Sequence, residues 1–268
     1  MRVLINGREG GSIDPADRGL NYGDGLFETL AVKDGRARFL GWHLERLAAG
    51  AARLGIPLPG PGVLEAEVAR VWPRGPGIVR VVVTRGVGPR GYRPPRDPRP
   101  VRIVSGSDWP ARDPACWTRG VRLRWCGTRL GRNPSLAGIK HLNRLEQVLA
   151  RAEWDDEEVA EGLMMDDGGN VIGATQANLF VVAGGRLVTP SLDACGVAGV
   201  MRRALCSWAA ERGEAVAERA VVAAEIERAD GLILTNALIG AWPVRELDGR
   251  RLAVDRRVAE FNAWLERQ

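Results

Sequence analysis

The sequence predicts an α+β fold with a mixed sheet in each half of the chain. Runs of β-branched residues at 78–84 and 101–105 are typical of strands. Leucine and alanine recur at helical spacing between residues 40 and 54, which indicates an amphipathic helix. Short apolar runs joined by glycine-rich turns follow in the second half, as in a β meander. Both halves therefore combine strands with helices.

The first half begins with a hairpin that turns at Asn6-Gly7, and a second strand pair turns at Asp34-Gly35. Gly55-Ile56-Pro57 ends the helix that follows, and another helix stops before Pro73. The segment 86–100 is rich in glycine, proline and arginine and is too long for a simple turn, which predicts a functional loop. The predicted elements are strands at 3–5, 28–32, 37–39, 78–84 and 101–105 and helices at 40–54 and 63–71.

A charged stretch flanked by prolines near residues 107–114 is typical of a linker. We therefore expect an N-terminal α+β domain at 1–106, a linker at 107–118 and a C-terminal α+β domain at 119–268. The predicted elements of the second half are strands at 121–126, 163–165, 171–172, 179–182, 187–188 and 232–234 and helices at 142–152, 200–210 and 258–265.

The composition bounds the classes of function. A chain of 268 residues, 45% of them hydrophobic, can bury a sizeable core without disulfides or a structural metal. No apolar run is long enough to cross a bilayer and the first residues do not form a secretory signal, so we expect a cytoplasmic protein without a membrane partner. Four cysteines without a CxxC pair and only two histidines argue against a metal site. The net charge of +5 comes from scattered arginines without a basic run, so we expect a small anionic substrate and no nucleic acid.

Lysine is rare in this chain. Of 38 Lys and Arg residues, only Lys33 and Lys140 are lysine. Arginine does not deprotonate in proteins, whereas a lysine can serve as an amine nucleophile once its surroundings lower its pKa. Lys33 lies in a predicted hairpin turn, whereas Lys140 lies among apolar and small residues. Lys140 is therefore either a survivor by chance or a catalytic amine.

Three further segments could bind phosphate. The run from Gly196 to Arg202 opens a predicted helix and is either a phosphate cradle or an ordinary helix start. Arg46 lies on a predicted helix, where it could pair with a carboxylate or reach a phosphate. Thr235-Asn236-Ala237 follows a buried strand, where ligands often dock. Together with Lys140, these segments suggest pyridoxal 5′-phosphate, whose aldehyde reacts with a lysine amine.

Three segments also carry a resemblance to a known family. The segments 21–29, 84–92 and 130–149, the last of which contains Lys140, resemble those of 4-amino-4-deoxychorismate lyases, and the order of matching segments extends to Trp242-Pro243-Val244. These lyases belong to the fold type IV pyridoxal-phosphate enzymes, which include branched-chain and D-amino acid transaminases. The resemblance implies two α+β domains like those of D-amino acid aminotransferase, with the cofactor between them and a mixed-sheet pseudo-barrel in the second. It also implies a homodimer that converts 4-amino-4-deoxychorismate into 4-aminobenzoate and pyruvate, for folate biosynthesis.

The resemblance also implies roles for individual residues. Lys140 would hold the cofactor covalently and later act as the proton-transfer base. Thr29 would lie over the reacting face and assist proton delivery to the leaving enolpyruvyl group. The other implied contacts are Arg46 with the cofactor phosphate, the backbone of Val200 and Met201 capping that phosphate, Asn236 and Ala237 on its other side, and Arg90, Tyr92 and Thr29 with the substrate.

One position departs from the family pattern. Fold type IV enzymes usually place a glutamate beneath the pyridine nitrogen, and alignment on Asn178 and Phe180 puts Gly173 there. A weaker electron sink harms transamination more than the lyase reaction, because aromatisation of the substrate ring drives the elimination. We therefore expect Gly173 to tolerate lyase chemistry, with Gln176 or a water partly replacing the glutamate. The alternatives are a transaminase of the same fold and a cofactor-binding protein with degraded activity.

Overall fold

The computed structural model describes residues 2–72 and 74–268 and divides the chain into two compact units. The first unit comprises Met1–Ala111 together with Ile139–Asn143, and the second comprises Arg112–Gly138 together with Arg144–Gln268. The short segment Ile139–Asn143 contains Lys140, so the lysine belongs to the first unit although its neighbours in sequence belong to the second. The domain boundaries at 1–106, 107–118 and 119–268 stay a prediction, and they assign the whole segment Ile139–Asn143 to the C-terminal domain.

Among its described residues, the first unit is one antiparallel sheet with three helices. Alternating burial is typical of its strands. In strand β5, Gly77–Thr84, the side chains of Val79, Val81 and Val83 point into the core and are at most 1% exposed. The strands follow the order β2-β1-β6-β5-β3-β4 across the sheet. The elements are β1 Arg2–Ile5, β2 Arg8–Glu9, α1 Arg18–Tyr22, β3 Gly25–Lys33, β4 Arg36–Ala37, α2 Leu40–Leu54, α3 Val63–Val71, β5 Gly77–Thr84 and β6 Val101–Ser107.

The second unit is a nine-stranded mixed sheet with five helices among the described residues. Its strand order is β12-β11-β10-β13-β14-β7-β8-β9, and β15 pairs with β14. The elements are α4 Ala115–Thr118, β7 Val121–Trp125, α5 Leu145–Arg151, β8 Val159–Met165, β9 Val171–Ala174, β10 Asn178–Ala183, β11 Arg186–Pro190, α6 Val200–Ala210, β12 Val216–Arg219, α7 Ala223–Arg228, β13 Gly231–Asn236, β14 Gly240–Leu247, β15 Arg250–Arg251 and α8 Arg257–Leu265.

The predicted meander is interrupted between β9 and β10. Strand β9 pairs with β8, whereas β10 pairs with β11 and β13, so the chain leaves one end of the strand order and re-enters its middle. A tight turn makes this change, with the Ala174 N–H donating to the Ala177 carbonyl at 2.8 Å. Alternating hydrophobicity predicts a strand and its buried face but does not specify which strand lies beside it. The strands β8 to β11 were therefore predicted, while the order that a meander implies was wrong.

Most predicted elements are confirmed, and one helix begins later than predicted. The apolar stripe from Leu142 suggested a helix, but α5 starts at Leu145 and Leu142 continues an extended segment. Among the described residues, no helix is both long enough and apolar enough to span a bilayer. The short elements α1, α4, α7, β12 and β15 were missed because they are too brief for a periodic pattern, and β14 was missed as well.

Candidate active site

Lys140 is attached to the edge of strand β3. The Phe27 N–H donates to the Lys140 carbonyl at 3.0 Å, and the Leu142 N–H donates to the Gly25 carbonyl at 3.0 Å. An antiparallel bridge between Leu26 and His141 lies between these two bonds. The Lys140 Nζ lies 4.3 Å from the centroid of the Phe27 ring. The backbone of β3 therefore holds the backbone of Lys140, and the amine lies against an aromatic face.

The guanidinium of Arg80 contacts the same aromatic ring. Arg80 is the register partner of Thr29 across β3 and β5, and its guanidinium carbon lies 4.3 Å from the centroid of Phe27. Thr29 follows Phe27 by two positions, so both project from the same face of β3. Burial lowers the pKa of the Arg80 guanidinium from its ordinary value. Sequence reasoning missed Arg80, and only the pairing of β3 with β5 would have revealed it.

Arg46 lies in a buried ion-pair network. Its Nε lies 2.8 Å from Oε1 of Glu28 and its Nη2 lies 2.5 Å from Oε2, while Nδ1 of His43 lies 2.6 Å from the same Oε2. Burial alone would raise the pKa of Glu28, which is 1% exposed, but the bonds from His43 and Arg46 hold it below its ordinary value. Arg46 thus pairs with a carboxylate, and its contact with a phosphate stays a prediction.

Replacing Glu28 by leucine is expected to lower the free energy of unfolding by about 3–5 kcal/mol, because Arg46 and His43 would lose a buried counter-charge. Urea unfolding followed by fluorescence measures the change. Glu9 provides the control, since its ion pair with Arg2 is mostly exposed and Glu9→Leu should cost less than about 1 kcal/mol. Equal losses in the two variants would contradict the structural importance of this network.

The predicted substrate residues Arg90 and Tyr92 lie on the surface of the first unit. Both are exposed, Tyr92 by 86%. They belong to the segment between β5 and β6 that the sequence predicted to be a functional loop. Tyr92 contacts Tyr22 of α1 edge to face, with 5.6 Å between the ring centroids.

In the second unit, no side chain in the described part of the chain caps the start of helix α6. Its N-cap is Gly199, and a Cβ there would lie 2.0 Å from Oδ1 of Asn178. Asn178 in turn donates to the Val197 carbonyl at 2.9 Å, which fixes the loop before the helix. Val200 and Met201 are buried and open the helix, as predicted. A helix start with no side-chain cap and no acidic residue in its first turn suits a phosphate.

The loop after β13 offers a second group of polar contacts. Oδ1 of Asn236 accepts from the N–H groups of Leu238 and Ile239 at 2.9 and 3.0 Å, and its Nδ2 donates to the Gln176 carbonyl at 3.3 Å. Ala237 lies within this turn. The buried Oγ1 of Thr235 has no hydrogen-bond partner in the described part of the chain. A buried hydroxyl of this kind fits an anionic ligand such as a phosphate oxygen.

Gly173 has no room for a side chain in its present backbone position. A Cβ on Gly173 would lie 2.8 Å from the Ala177 carbonyl oxygen, which belongs to the turn before β10. The position at which the resemblance implies a glutamate is therefore closed by backbone. Accommodating a side chain there requires the 174–177 turn to move.

A buried carboxyl that sequence reasoning missed lies beneath this turn. Glu161 is 3% exposed, and its Oε2 accepts from the Thr175 hydroxyl at 2.5 Å. Burial raises its pKa to about 7, although the hydrogen bonds from Thr175 and from the backbone of Gly162 and Gln176 oppose the rise. The available signal was a single acidic residue within an otherwise apolar strand.

The profile of the family described as amino-transferase class IV matches residues 25–247. The chain belongs to this family. An aminodeoxychorismate lyase of Vibrio harveyi is 35% identical over 98% of this chain and 97% of its own length. A crystal structure of 4-amino-4-deoxychorismate lyase from Pseudomonas aeruginosa matches with a TM-score of 0.94 and 47% identity, covering 99% of this chain and 98% of that one. A putative branched-chain-amino-acid aminotransferase of Methanocaldococcus jannaschii is 31% identical over 93% of this chain and 89% of its own length. The predicted family and fold class are confirmed.

Within this family fold, the predicted residues of the first unit lie in separate places, since Arg90 and Tyr92 are on an exposed loop and Arg46 pairs on the face of β3 opposite to Thr29. In the first unit the sheet carries Lys140 and Thr29 near Phe27, and Arg46 lies on α2 and pairs with Glu28 of β3. In the second unit the uncapped start of α6 and the β13 loop present backbone donors and a buried hydroxyl. The donors of the second unit suit a phosphate group, and the amine of the first unit suits reaction with a cofactor carbonyl.

Proposed function

We propose that the chain is a pyridoxal-phosphate-dependent lyase that converts 4-amino-4-deoxychorismate into 4-aminobenzoate and pyruvate, a step of folate biosynthesis. The observation that carries this proposal is Lys140, whose backbone is bonded to β3 and whose amine lies against Phe27, in a chain with lyase relatives. The cofactor is pyridoxal 5′-phosphate, which when bound supplies an electrophilic carbonyl and an electron sink for the substrate amine.

The residues of the first unit would move the protons. Nζ of Lys140 removes the proton from the substrate ring carbon that bears the amine. The bond between the neighbouring ring carbon and the enolpyruvyl oxygen breaks, the ring becomes aromatic, and the departing enolpyruvate becomes pyruvate. The hydroxyl of Thr29 would assist proton delivery to that group. Arg46, Val200, Met201, Asn236 and Ala237 hold the cofactor phosphate in this proposal, which keeps the reacting atoms in place while Lys140 moves.

Arginines would recognise the substrate, which is a dicarboxylate. The guanidinium of Arg80 lies over Phe27, close to the predicted catalytic side chains. Its lowered pKa reflects desolvation, and a desolvated guanidinium gains from pairing with a carboxylate. Arg90 of the 86–100 loop would supply the second charge, and Tyr92 would cover the ring.

The direct test is the reaction itself. Purified protein loaded with pyridoxal phosphate is assayed with 4-amino-4-deoxychorismate, and formation of 4-aminobenzoate is measured. Product at the background rate of a Lys140→Ala variant would overturn the lyase proposal. The second candidate, a transaminase, is favoured by the aminotransferase relative, and its mark is a change of cofactor absorbance on adding an amino donor alone.

Gly173→Glu is expected to raise the rate of this transaminase half-reaction by about tenfold, or about 1.4 kcal/mol of activation free energy, because a carboxylate would keep the pyridine nitrogen protonated. Gly173→Ala is the matched control, since any Cβ there must displace the Ala177 carbonyl. Stopped-flow absorbance with an amino donor measures both variants. Equal rates in Gly173→Glu and Gly173→Ala would contradict the expectation that a carboxylate at position 173 strengthens the electron sink of the cofactor.

The proposal includes a homodimer in the cytoplasm. Leu145, Val148 and Leu149 form one stripe of α5 and are 75%, 59% and 61% exposed. Exposed apolar stripes of this kind are typical of protein–protein interfaces. Light scattering of the purified protein measures its mass, and a value near the 29.1 kDa of one chain would remove this part of the proposal.

A further inference from the structure

The loop that carries Arg90 and Tyr92 is held by helix α1. Arg18 of this helix is only 3% exposed. Its Nη1 donates to the Gly91 carbonyl at 2.9 Å and its Nη2 donates to the Tyr92 carbonyl at 3.0 Å. One planar guanidinium thus grips two consecutive carbonyls of the loop, and such charge-assisted bonds are stronger than neutral ones.

Tyr22, one turn along α1, completes this grip. Its hydroxyl accepts from the Gly91 N–H at 3.2 Å, and its ring lies 4.8 Å from the Arg18 guanidinium carbon. The loop approaches closely because Gly88 has no side chain, since a Cβ there would lie 2.7 Å from Cδ of Arg18. Helix α1 therefore holds the backbone of Gly91 at both its N–H and its carbonyl.

Asp24 neutralises Arg18 and also a second buried arginine. Oδ2 of Asp24 accepts from Nε of Arg18 at 2.8 Å and from Nε of Arg85 at 2.7 Å. Burial raises the pKa of Asp24, but the bonds from Arg85 and Arg18 outweigh burial and hold it below its ordinary value. Arg85 directs its remaining donors to the carbonyls of Leu54 and Gly55, at the end of α2. The two arginines thus share one carboxylate but hold different parts of the unit.

We propose that Arg18 is a positioning residue that fixes the Gly91–Tyr92 peptide and thereby presents Arg90 and Tyr92 to the substrate. This inference rests on the proposed function, which assigns the loop to substrate binding. A released loop must be ordered again each time substrate binds, and that entropy weakens binding without altering the chemical step. Loss of Arg18 therefore affects KM and leaves kcat and cofactor affinity unchanged.

The experiment compares Arg18→Met with Arg85→Met in the cofactor-loaded protein. Both remove one buried arginine from Asp24, so both should lower the melting temperature by a similar amount. We expect Arg18→Met to raise KM for 4-amino-4-deoxychorismate about tenfold or more, with kcat within about twofold of the wild type. Hydrogen exchange at the Gly91 amide should accelerate in Arg18→Met alone. Arg18→Lys, which keeps the charge but loses the planar fork, should lie between the wild type and Arg18→Met.

The outcomes separate the inference from the proposed function. Equal increases of KM in Arg18→Met and Arg85→Met would assign the effect to general destabilisation and overturn the inference. Faster exchange at Gly91 with an unchanged KM would overturn it as well. A wild-type protein without lyase activity would overturn the proposed function. In that case hydrogen exchange at the Gly91 amide still tests whether Arg18 fixes the loop. An unchanged exchange rate in Arg18→Met would overturn the positioning role of Arg18.

Discussion

Replacing Lys140 by alanine is expected to lower kcat for 4-aminobenzoate formation by about 10⁴-fold, because the amine both holds the cofactor and moves the ring proton. We expect no other amine of the chain to replace Lys140. The Lys140 carbonyl is bonded to the Phe27 N–H and Nζ lies against the Phe27 ring, and the sequence contains one other lysine, Lys33. Steady-state assay of the purified variant measures the loss, and mass spectrometry after borohydride reduction locates the cofactor adduct.

Two matched variants separate the amine from its charge. Lys140→Arg keeps a cation beside Phe27, yet it should be as inactive as Lys140→Ala because a guanidinium does not deprotonate or form the covalent link. Lys33→Ala removes the other lysine of the chain, which is exposed at the end of β3, and should leave activity unchanged. Retention of more than about a tenth of the activity in Lys140→Arg would contradict a nucleophilic and basic role for Lys140.

The prediction of this lysine from the sequence rests on local evidence. Rarity of lysine, the apolar setting and the surrounding segment all concern residues near 140. The assignment of Ile139–Asn143 to the first unit could not be predicted in this way. It depends on hydrogen bonds to Gly25 and Phe27, more than a hundred positions earlier. Local patterns specify strands and helices, whereas pairing between distant segments is decided by packing in three dimensions.

The same limit explains the open alternatives at Arg46. Its helix was predicted with the correct bounds, but the pairing with a carboxylate depended on Glu28 of β3. Arg80 was missed for a similar reason, since its position beside Thr29 follows from the β3–β5 register. Arg80 lies near Phe27 and Thr29, whereas Arg46 pairs with Glu28, the residue between them in the strand. Alternation along that strand directs Glu28 to one face and its two neighbours to the other.

Glu161 is buried although acidic side chains are ordinarily exposed. An acidic residue in a strand is ordinarily at the surface, yet Glu161 is 3% exposed beneath the 174–177 turn. Its hydrogen bonds come from Thr175 and the backbone around it. The turn it supports carries the Gln176 carbonyl that Asn236 contacts. The protonation of this carboxyl is therefore linked to the stability of the region that contains Gly173 and Asn236.

Stability is expected to fall by about 3 kcal/mol between about pH 4 and about pH 8 through Glu161 alone. The pKa of this carboxyl is about 7 in the folded chain, against 4.5 for the free side chain. Between these values the unfolded chain has released its proton while the folded chain still holds it. The folded state therefore binds more protons than the unfolded state, so the free energy of unfolding decreases as pH rises and levels off above the folded pKa.

Urea unfolding of the wild type and of Glu161→Gln across this range isolates the contribution. Glutamine keeps the size of the side chain and does not ionise, so the wild type should lose its advantage over this variant as pH rises. Glu157→Gln, at an exposed position, is the matched control and should follow the wild type at every pH. If the difference between wild type and Glu161→Gln stays constant with pH, Glu161 is ionised in the folded chain, and its buried charge must then be compensated by the hydrogen bonds from Thr175 and the surrounding backbone.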